Sequence, residues 1–236
     1  ITATTSTSSA DTITILDYNP SGAAEGDTDN TGEDEDDLVE NASFDGTVII
    51  SYADTSVSVT NPFEDNGVEI SVDGADVTVV ATISGVAYDV AGSSTEGSLK
   101  IYSGNKFQLG LSDLELVNSD GPAINIQSKK TVFVILEGES SLIDGTTYSD
   151  IPDDEDAKAT FFSEGQLIFS GSGELTVTAN YKHGIVSDDY IRVRDGTIIV
   201  TDAVKDAIHT NDYFIADGGS FTLAAQSDGI DASEGY

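Results

Sequence analysis

Acidic and amide side chains recur at fixed distances in the C-terminal third of this 236-residue chain. Asp188 is followed by Asn211 and Ser233, and Asp189 by Asp212 and Glu234, in steps of 23 and then 22 residues. If coils of that length stack, these side chains form ladders. Carboxylates stacked closer than a Debye length repel one another unless they are protonated or bridged by a cation. Calcium suits such a bridge, because it takes 6 to 8 oxygen ligands in flexible geometry. The plainer reading is solvated Asp and Asn residues forming Asx turns. A second column holds His183, Asp206 and Asp228, with Asp231 just beyond. The candidate calcium ligands are therefore Asp188, Asp189, Asp206, Asn211, Asp212, Asp228, Asp231 and Glu234. Lys182 and Lys205 flank the second column, where they would neutralise it or reach a bound anionic sugar. His183 and His209 read as turn residues. Tyr190, Tyr213 and Tyr236 also lie 23 residues apart and predict an aromatic row. An exposed row can stack on sugar rings, and a covered row is ordinary aromatic packing. With the two lysines, these tyrosines are the candidate carbohydrate contacts. No Ser/His/Asp order, phosphate-binding glycine loop or HExxH motif is present.

Such ladders require a scaffold with a constant register. After Phe44, short β-branched segments are broken by Gly, Asn and Asp: Thr47 to Ser51, Val68 to Val72, Val77 to Ala81, Leu99 to Tyr102 and Phe107 to Leu111. None shows helical periodicity, so the chain reads as all-β. Lys158-Ala159-Thr160-Phe161 aligns with Lys182-His183-Gly184-Ile185, Lys205-Asp206-Ala207-Ile208 and Ser227-Asp228-Gly229-Ile230. The apolar member thus steps from 161 to 185, 208 and 230. Upstream, Ile101 and Ile124 lie 23 apart. The longer step from Ile124 to Phe161 contains a polar insert, Thr146 to Asp156. A strand-and-turn repeat of about 23 residues is one coil of a parallel β-helix, whose units bury apolar side chains against their neighbours. A right hand is expected for parallel crossovers.

Composition bounds the partners. Nine Lys and Arg stand against 43 Asp and Glu, for a net charge of -34. Self-repulsion on this scale calls for counter-ions. Nucleic acid is excluded as a partner, because binding it needs clustered basic residues. With no cysteine there is no disulfide, thiol nucleophile or zinc-thiolate site. No apolar run of about 18 residues predicts a membrane span. The chain begins at Ile1 and reads as the mature part of a secreted or cell-surface protein. Two regions are expected: an N-terminal strand arm and acidic linker over 1–43, and a parallel β-helix over 44–236. The carboxylate block from Glu25 to Glu40 reads as a loop unless an ion orders it. Within it, Asp27-Thr28-Asp29-Asn30-Thr31-Gly32 imitates half an EF-hand loop but reaches Leu38 at position twelve, where a bidentate Glu is needed.

Several segments also resemble a known family. They are Tyr88-Asp89-Val90-Ala91-Gly92, the run from Asn118 to Ile126, Asp144-Gly145 with its acidic loop, Phe162-Ser163-Glu164-Gly165, Lys182-His183-Gly184-Ile185 and Asp228-Gly229-Ile230-Asp231-Ala232. Together they are similar to the bacterial carbohydrate-binding β-helix family first described from a cellulose-degrading clostridium, over roughly 40–236. The resemblance implies a pectate-lyase-like scaffold, bound calcium and a cellulose-like or pectin-like partner. It also raises a lyase, in which Lys182 or Lys205 would serve as the base beside calcium. The expected function is non-catalytic, calcium-dependent polysaccharide binding. The alternatives are a uronate lyase and a filament subunit assembled through a strand donated by Ile1 to Tyr18.

Overall fold

The computed structural model describes residues 35–149 and 151–233. Its elements follow the β-branched segments closely. The chain opens with two 3₁₀ turns at Glu35–Asp37 and Val39–Asn41. Next come β1 (Gly46–Ala53), β2 (Ser56–Thr60), β3 (Val68–Asp73), β4 (Asp76–Ala81), β5 (Val86–Ser94), β6 (Ser98–Ser103) and β7 (Phe107–Val117). The middle of the chain forms β8 (Ile124–Gln127), β9 (Val132–Glu137), β10 (Glu139–Ile143), β11 (Ala159–Ser163), β12 (Leu167–Gly171) and β13 (Glu174–Ala179). Then follow β14 (His183–Ser187), β15 (Ile191–Val193), β16 (Thr197–Ala203), β17 (Ile208–Thr210), β18 (Phe214–Ala216), β19 (Ser220–Leu223) and β20 (Ile230–Ala232).

Pairing between coils is parallel throughout, which makes the chain a β-solenoid with three faces. One face runs β18-β15-β12-β9-β7 and a second runs β7-β10-β13-β16-β19. The long β7 belongs to both. It pairs with β9 through Phe107 to Ser112 and with β10 through Glu115 to Val117. The corner between them falls where the register against β5 shifts at Ala91/Gly92 and Asp113 has a φ of 50°. The third face is a separate sheet, β20-β17-β14-β11-β8-β6-β4-β3. Two antiparallel hairpins, β1 with β2 and β3 with β4, lie at the N-terminal end of these ladders.

The expected register holds where the repeat is clearest. Phe161 pairs with Ile185, Ile185 with Ile208, and Ile208 with Ile230, while Phe161 also faces Ile124 across the insert. It fails upstream by two residues: Ile101 pairs with Ile126, and Leu99 with Ile124. Both pairs are apolar, so a spacing of 23 and one of 25 look equally good in the sequence. Inside the coils a continuous core runs from Val48 to Ile208, and Phe161, Phe169 and Leu167 are fully buried in it. Phe161 and Phe169 meet edge to face at 6.0 Å.

The end of the acidic block is docked onto the solenoid. Asp37, only 4% exposed, takes Arg192 Nη1 at 3.2 Å and the Tyr190 hydroxyl, while Arg194 reaches Glu40 at 3.6 Å. A free loop is therefore not what residues 35–41 form, because Arg192 supplies the cation that orders them. The EF-hand-like stretch and the arm Ile1 to Tyr18 lie outside the described residues.

Phe161→Ala should lower stability by about 3–5 kcal/mol, since a fully buried ring is lost from a column that cannot collapse coil by coil. Urea unfolding followed by circular dichroism measures it, and a loss below about 1 kcal/mol would contradict the continuous core.

Candidate functional site

The insert between β10 and β11 lies as a strap over the outer side of the third face. Its base is Asp144, which is 2% exposed. Asp144 Oδ1 accepts the Asn180 N–H at 2.5 Å, Oδ2 accepts the Tyr148 hydroxyl at 2.6 Å, and the Asp144 carbonyl accepts Asn180 Nδ2 at 2.7 Å. Burial raises its carboxyl above the ordinary value, and these bonds oppose that rise. The next residue must be glycine, because a Cβ on Gly145 would stand 1.8 Å from the Ser119 carbonyl oxygen. At the far end, Glu155 takes Lys100 Nζ at 2.9 Å and the Tyr102 hydroxyl, and Gln127 Nε2 donates to the Asp156 carbonyl at 2.9 Å. Lys158 lies 5.6 Å from the centre of the Phe162 ring. Phe162, Ala159 and Val186 thereby form a small apolar cluster on the outside of the sheet.

Beside the strap is a cleft of about 230 Å³, whose lining includes Asp76, Lys100, Asp120, Asn125, Ser149 and Ile151. Its floor is polar by construction. Asn125 is 3% exposed, and its Oδ1 accepts Gln127 Nε2 at 2.7 Å. Its Nδ2 is buried with no hydrogen-bond partner. An amide left so costs about 1–3 kcal/mol unless a ligand or water accepts from it. Asn125 was not singled out in the sequence, where it is one more Asn in a strand. The only signal is its place in the run from Asn118 to Ile126.

Two expected ladders occupy the turns that follow β14 and β17. Asn211 Nδ2 donates to Asp188 Oδ1 at 3.1 Å, and the Asp212 N–H bonds the Asp189 carbonyl at 3.1 Å. Asp188 already has a cation, since Lys158 Nζ lies 2.6 Å from its Oδ1 and 2.9 Å from Asp156. Burial alone would lower the Lys158 pKa, but these bonds outweigh it and hold the ammonium above its usual value. Asp189 has no lysine. Its Oδ2 accepts Gln166 Nε2 at 2.6 Å, and burial followed by repulsion from Asp212 pushes its carboxyl up to about 6. Glu234, the third rung, lies outside the described residues.

In the second column Asp206 and Asp228 lie in the bent segments before β17 and β20, but the two histidines are strand residues. His183 starts β14 and His209 lies within β17. Alternation accounts for His209, because Ile208 points inward and the next residue must point out. His183, two residues before Ile185 at the very start of its strand, is placed by its contacts with Asp206 and the His209 ring. Asp206 and Asp231 gather around these imidazoles, away from Asp188 and Asp189. Burial, then the neighbouring His209, pushes His183 down to about 4. Burial would raise Asp206, but the Asp228 N–H at 3.1 Å and the two imidazoles outweigh it and hold the carboxyl low. Asp228 and Lys205 are exposed, and Lys182 Nζ lies over the Tyr181 ring at 4.8 Å.

The aromatic row is real at its first step. Tyr190 and Tyr213 stack with centroids 4.6 Å apart and planes 12° apart. It is not an open platform, however: Tyr213 is 8% exposed and the Tyr190 hydroxyl is committed to Asp37. Tyr236 lies outside the described residues.

A family model described as "Carbohydrate-binding domain-containing protein" matches residues 73–235. A relative of the same description from Acetivibrio thermocellus is 26% identical over 118 residues, which is 48% of this chain and 41% of that protein. The chain thus spans well under half the length of this curated relative. A solved polysaccharide lyase-like protein from C. thermocellum, studied as a gadolinium derivative, superposes with a TM-score of 0.63. That likeness covers 81% of this chain and 96% of the solved one at 18% identity, and so bears on the fold alone. With the family model covering more than half its length, and the parallel solenoid in place, the chain belongs to the carbohydrate-binding domain-containing protein family.

Proposed function

We propose that this chain is a secreted, calcium-stabilised polysaccharide-binding protein that holds its ligand without cleaving it. One observation carries the reading: the cleft beside the strap, where the buried Asn125 amide has no partner in a family of carbohydrate-binding proteins. A sugar hydroxyl can accept from Asn125 Nδ2 while others bond Asp120 or Lys100. The cleft lies below the roughly 300 Å³ at which drug-sized ligand pockets begin. It therefore fits about one residue of a longer chain, with the rest lying along the sheet. A cellulose-like or pectin-like polymer matches this geometry.

The lyase reading has less support. A lysine base must be desolvated and away from anions that hold its proton. Of the two candidate bases, Lys205 is exposed and Lys182 is only half-buried, with its Nζ over the Tyr181 ring at 4.8 Å.

Calcium fits one ladder better than the other. Asp188 is neutralised by Lys158, whereas Asp189 and Asp212 face each other with no side-chain cation between them among the described residues. Hard carboxylate oxygens in a turn are the donors calcium takes. A bound ion would offset both the burial and the repulsion from Asp212 that raise Asp189.

Asn125→Ala should weaken binding to the preferred polysaccharide about 3- to 10-fold, the range for losing one neutral hydrogen bond. Lys205→Ala should leave it unchanged. Affinity electrophoresis in gels containing polygalacturonate or soluble cellulose derivatives reads both. Incubation with polygalacturonate should produce no unsaturated product, and calcium-dependent absorbance from such a product would overturn the non-catalytic reading.

Calcium should raise the melting temperature and a chelator should lower it, by linkage to the folded state. Asp189→Asn should raise the melting temperature in chelator and shrink the calcium increment. The sign with pH follows from its raised value. A carboxyl with a folded pKa near 6, above the unfolded value of about 4, favours the native state at low pH. That contribution is complete below about pH 4 and is lost as the pH rises through 6. The advantage of Asp189→Asn over wild type in chelator should therefore grow from pH 4 to pH 7. A constant difference would show that the Asp189 carboxyl is not raised in the native state.

A further inference from the structure

His183, Asp206, His209 and Asp231 come from three successive coils and meet on the outer side of the third face. One ligand atom from each of His183, Asp206 and His209 lies within 4.8 Å of the others. His183 Nδ1 is 3.0 Å from Asp206 Oδ2, and His209 Nδ1 is 3.9 Å from that same oxygen. His209 Nδ1 is also 2.9 Å from Asp231 Oδ2. The two imidazole centroids are 4.9 Å apart and the rings are tilted by 31°. A tetrahedral ion with bonds near 2.0–2.2 Å holds its ligand atoms roughly 3.3–3.6 Å apart. The observed distances bracket that spacing.

His209 Nδ1 and Asp231 Oδ2 share a hydrogen bond at 2.9 Å, but between His183 and Asp206 no such bond is made to explain the proximity. His183 is 5% exposed, and its Nδ1 has no hydrogen-bond partner although Asp206 Oδ2 is within contact distance. The two atoms are close without the alignment that a shared proton needs. A cation between them satisfies both at once. Both Asp206 and His183 are buried, whereas the Asp231 side chain is 46% exposed, so the cluster has a closed inner wall and an outer side open to an entering ion.

The geometry points to a divalent transition-metal site of the zinc class, formed by His183, Asp206 and His209 with Asp231 closing it at the rim. Imidazole nitrogen with carboxylate oxygen selects zinc and its neighbours over calcium, which takes oxygen alone. The site is thus chemically distinct from the Asp189 and Asp212 turn. Because its ligands sit on β14, β17 and β20 and in the bent segment before β17, a bound ion would tie three consecutive coils together. The ion would act as a cross-strand staple, stabilising these coils by its affinity for the folded state.

The full chain, stripped with a chelator and desalted, can be titrated with Zn²⁺ against a chromophoric zinc indicator in the presence of millimolar Ca²⁺. Co²⁺ serves as a visible probe of a tetrahedral nitrogen and oxygen environment. One equivalent of Zn²⁺ should bind, raise the melting temperature and resist competition by Ca²⁺. His209→Asn should weaken binding on the order of 100-fold or more, and Asp231→Asn on the order of 10-fold, at the two ends of the range for altering a metal site. His209 is half-buried, so its replacement tests the site even if His183→Ala fails to fold. Lys182→Ala, beside the cluster but not a ligand, should bind as wild type does. Absence of zinc binding, displacement by calcium, or equal binding by His209→Asn and wild type would each overturn the site.

Discussion

Everything in this molecule depends on parallel coils stacking in register, with each residue lying about 4.8 Å from its counterparts above and below. That constraint treats side chains unequally. An apolar column such as Phe161, Ile185 and Ile208 gains at every step, because each ring or branched chain buries the next. Tyr190 over Tyr213 gains in the same way. A column of carboxylates does the opposite, since neighbours of like charge are brought inside a Debye length and partly out of water. The chemistry of the protein is concentrated where the register forces such costs.

The structure answers those costs in different ways. Lys158 crosses the sheet face to neutralise Asp188, and Arg192 enters a buried position between Asp217 and Asp37, with its Nε 2.6 Å from Asp217. Asp206 faces two imidazoles. Among the described residues Asp189 and Asp212 are left with no such partner, and burial followed by repulsion from Asp212 pushes the Asp189 carboxyl up to about 6. With only nine basic residues in the chain, basic side chains can settle few of the acidic positions. The rest fall to solvent or to bound cations.

How much of this was legible in the sequence follows from the range of each interaction. Four of the five β-branched segments announced strands to within two residues, while Phe107 to Leu111 stopped six short of the end of β7, whose second half turns a corner. The alignment of Phe161 with Ile185, Ile208 and Ile230 gave the correct pairing, because that signal is strictly periodic. Ile101 was placed one pair off, since Ile124 and Ile126 on one strand offer the same hydrophobic gain. His183 and His209 looked like turn residues because they border Gly, Asp and Asn. The outward place of His209 depends on Ile208 pointing inward. Contacts such as Asp37 with Arg192, 155 residues apart, left no trace in spacing. The same is true of Asn125, whose lack of a partner is a property of burial and not of its neighbours in the chain.

The strap has an evolutionary consequence. It leaves the solenoid after Ile143 and returns at Ala159, yet Phe161 still pairs with Ile124 below and Ile185 above, as though nothing had been inserted. Its anchors are side chains on the sheet, namely Lys100, Tyr102, Gln127 and Asn180. The length and sequence between those anchors can therefore drift while the coils continue to fold. Ligand preference can diversify on a frame that selection for folding holds constant, much as a tool head is changed without remaking its handle.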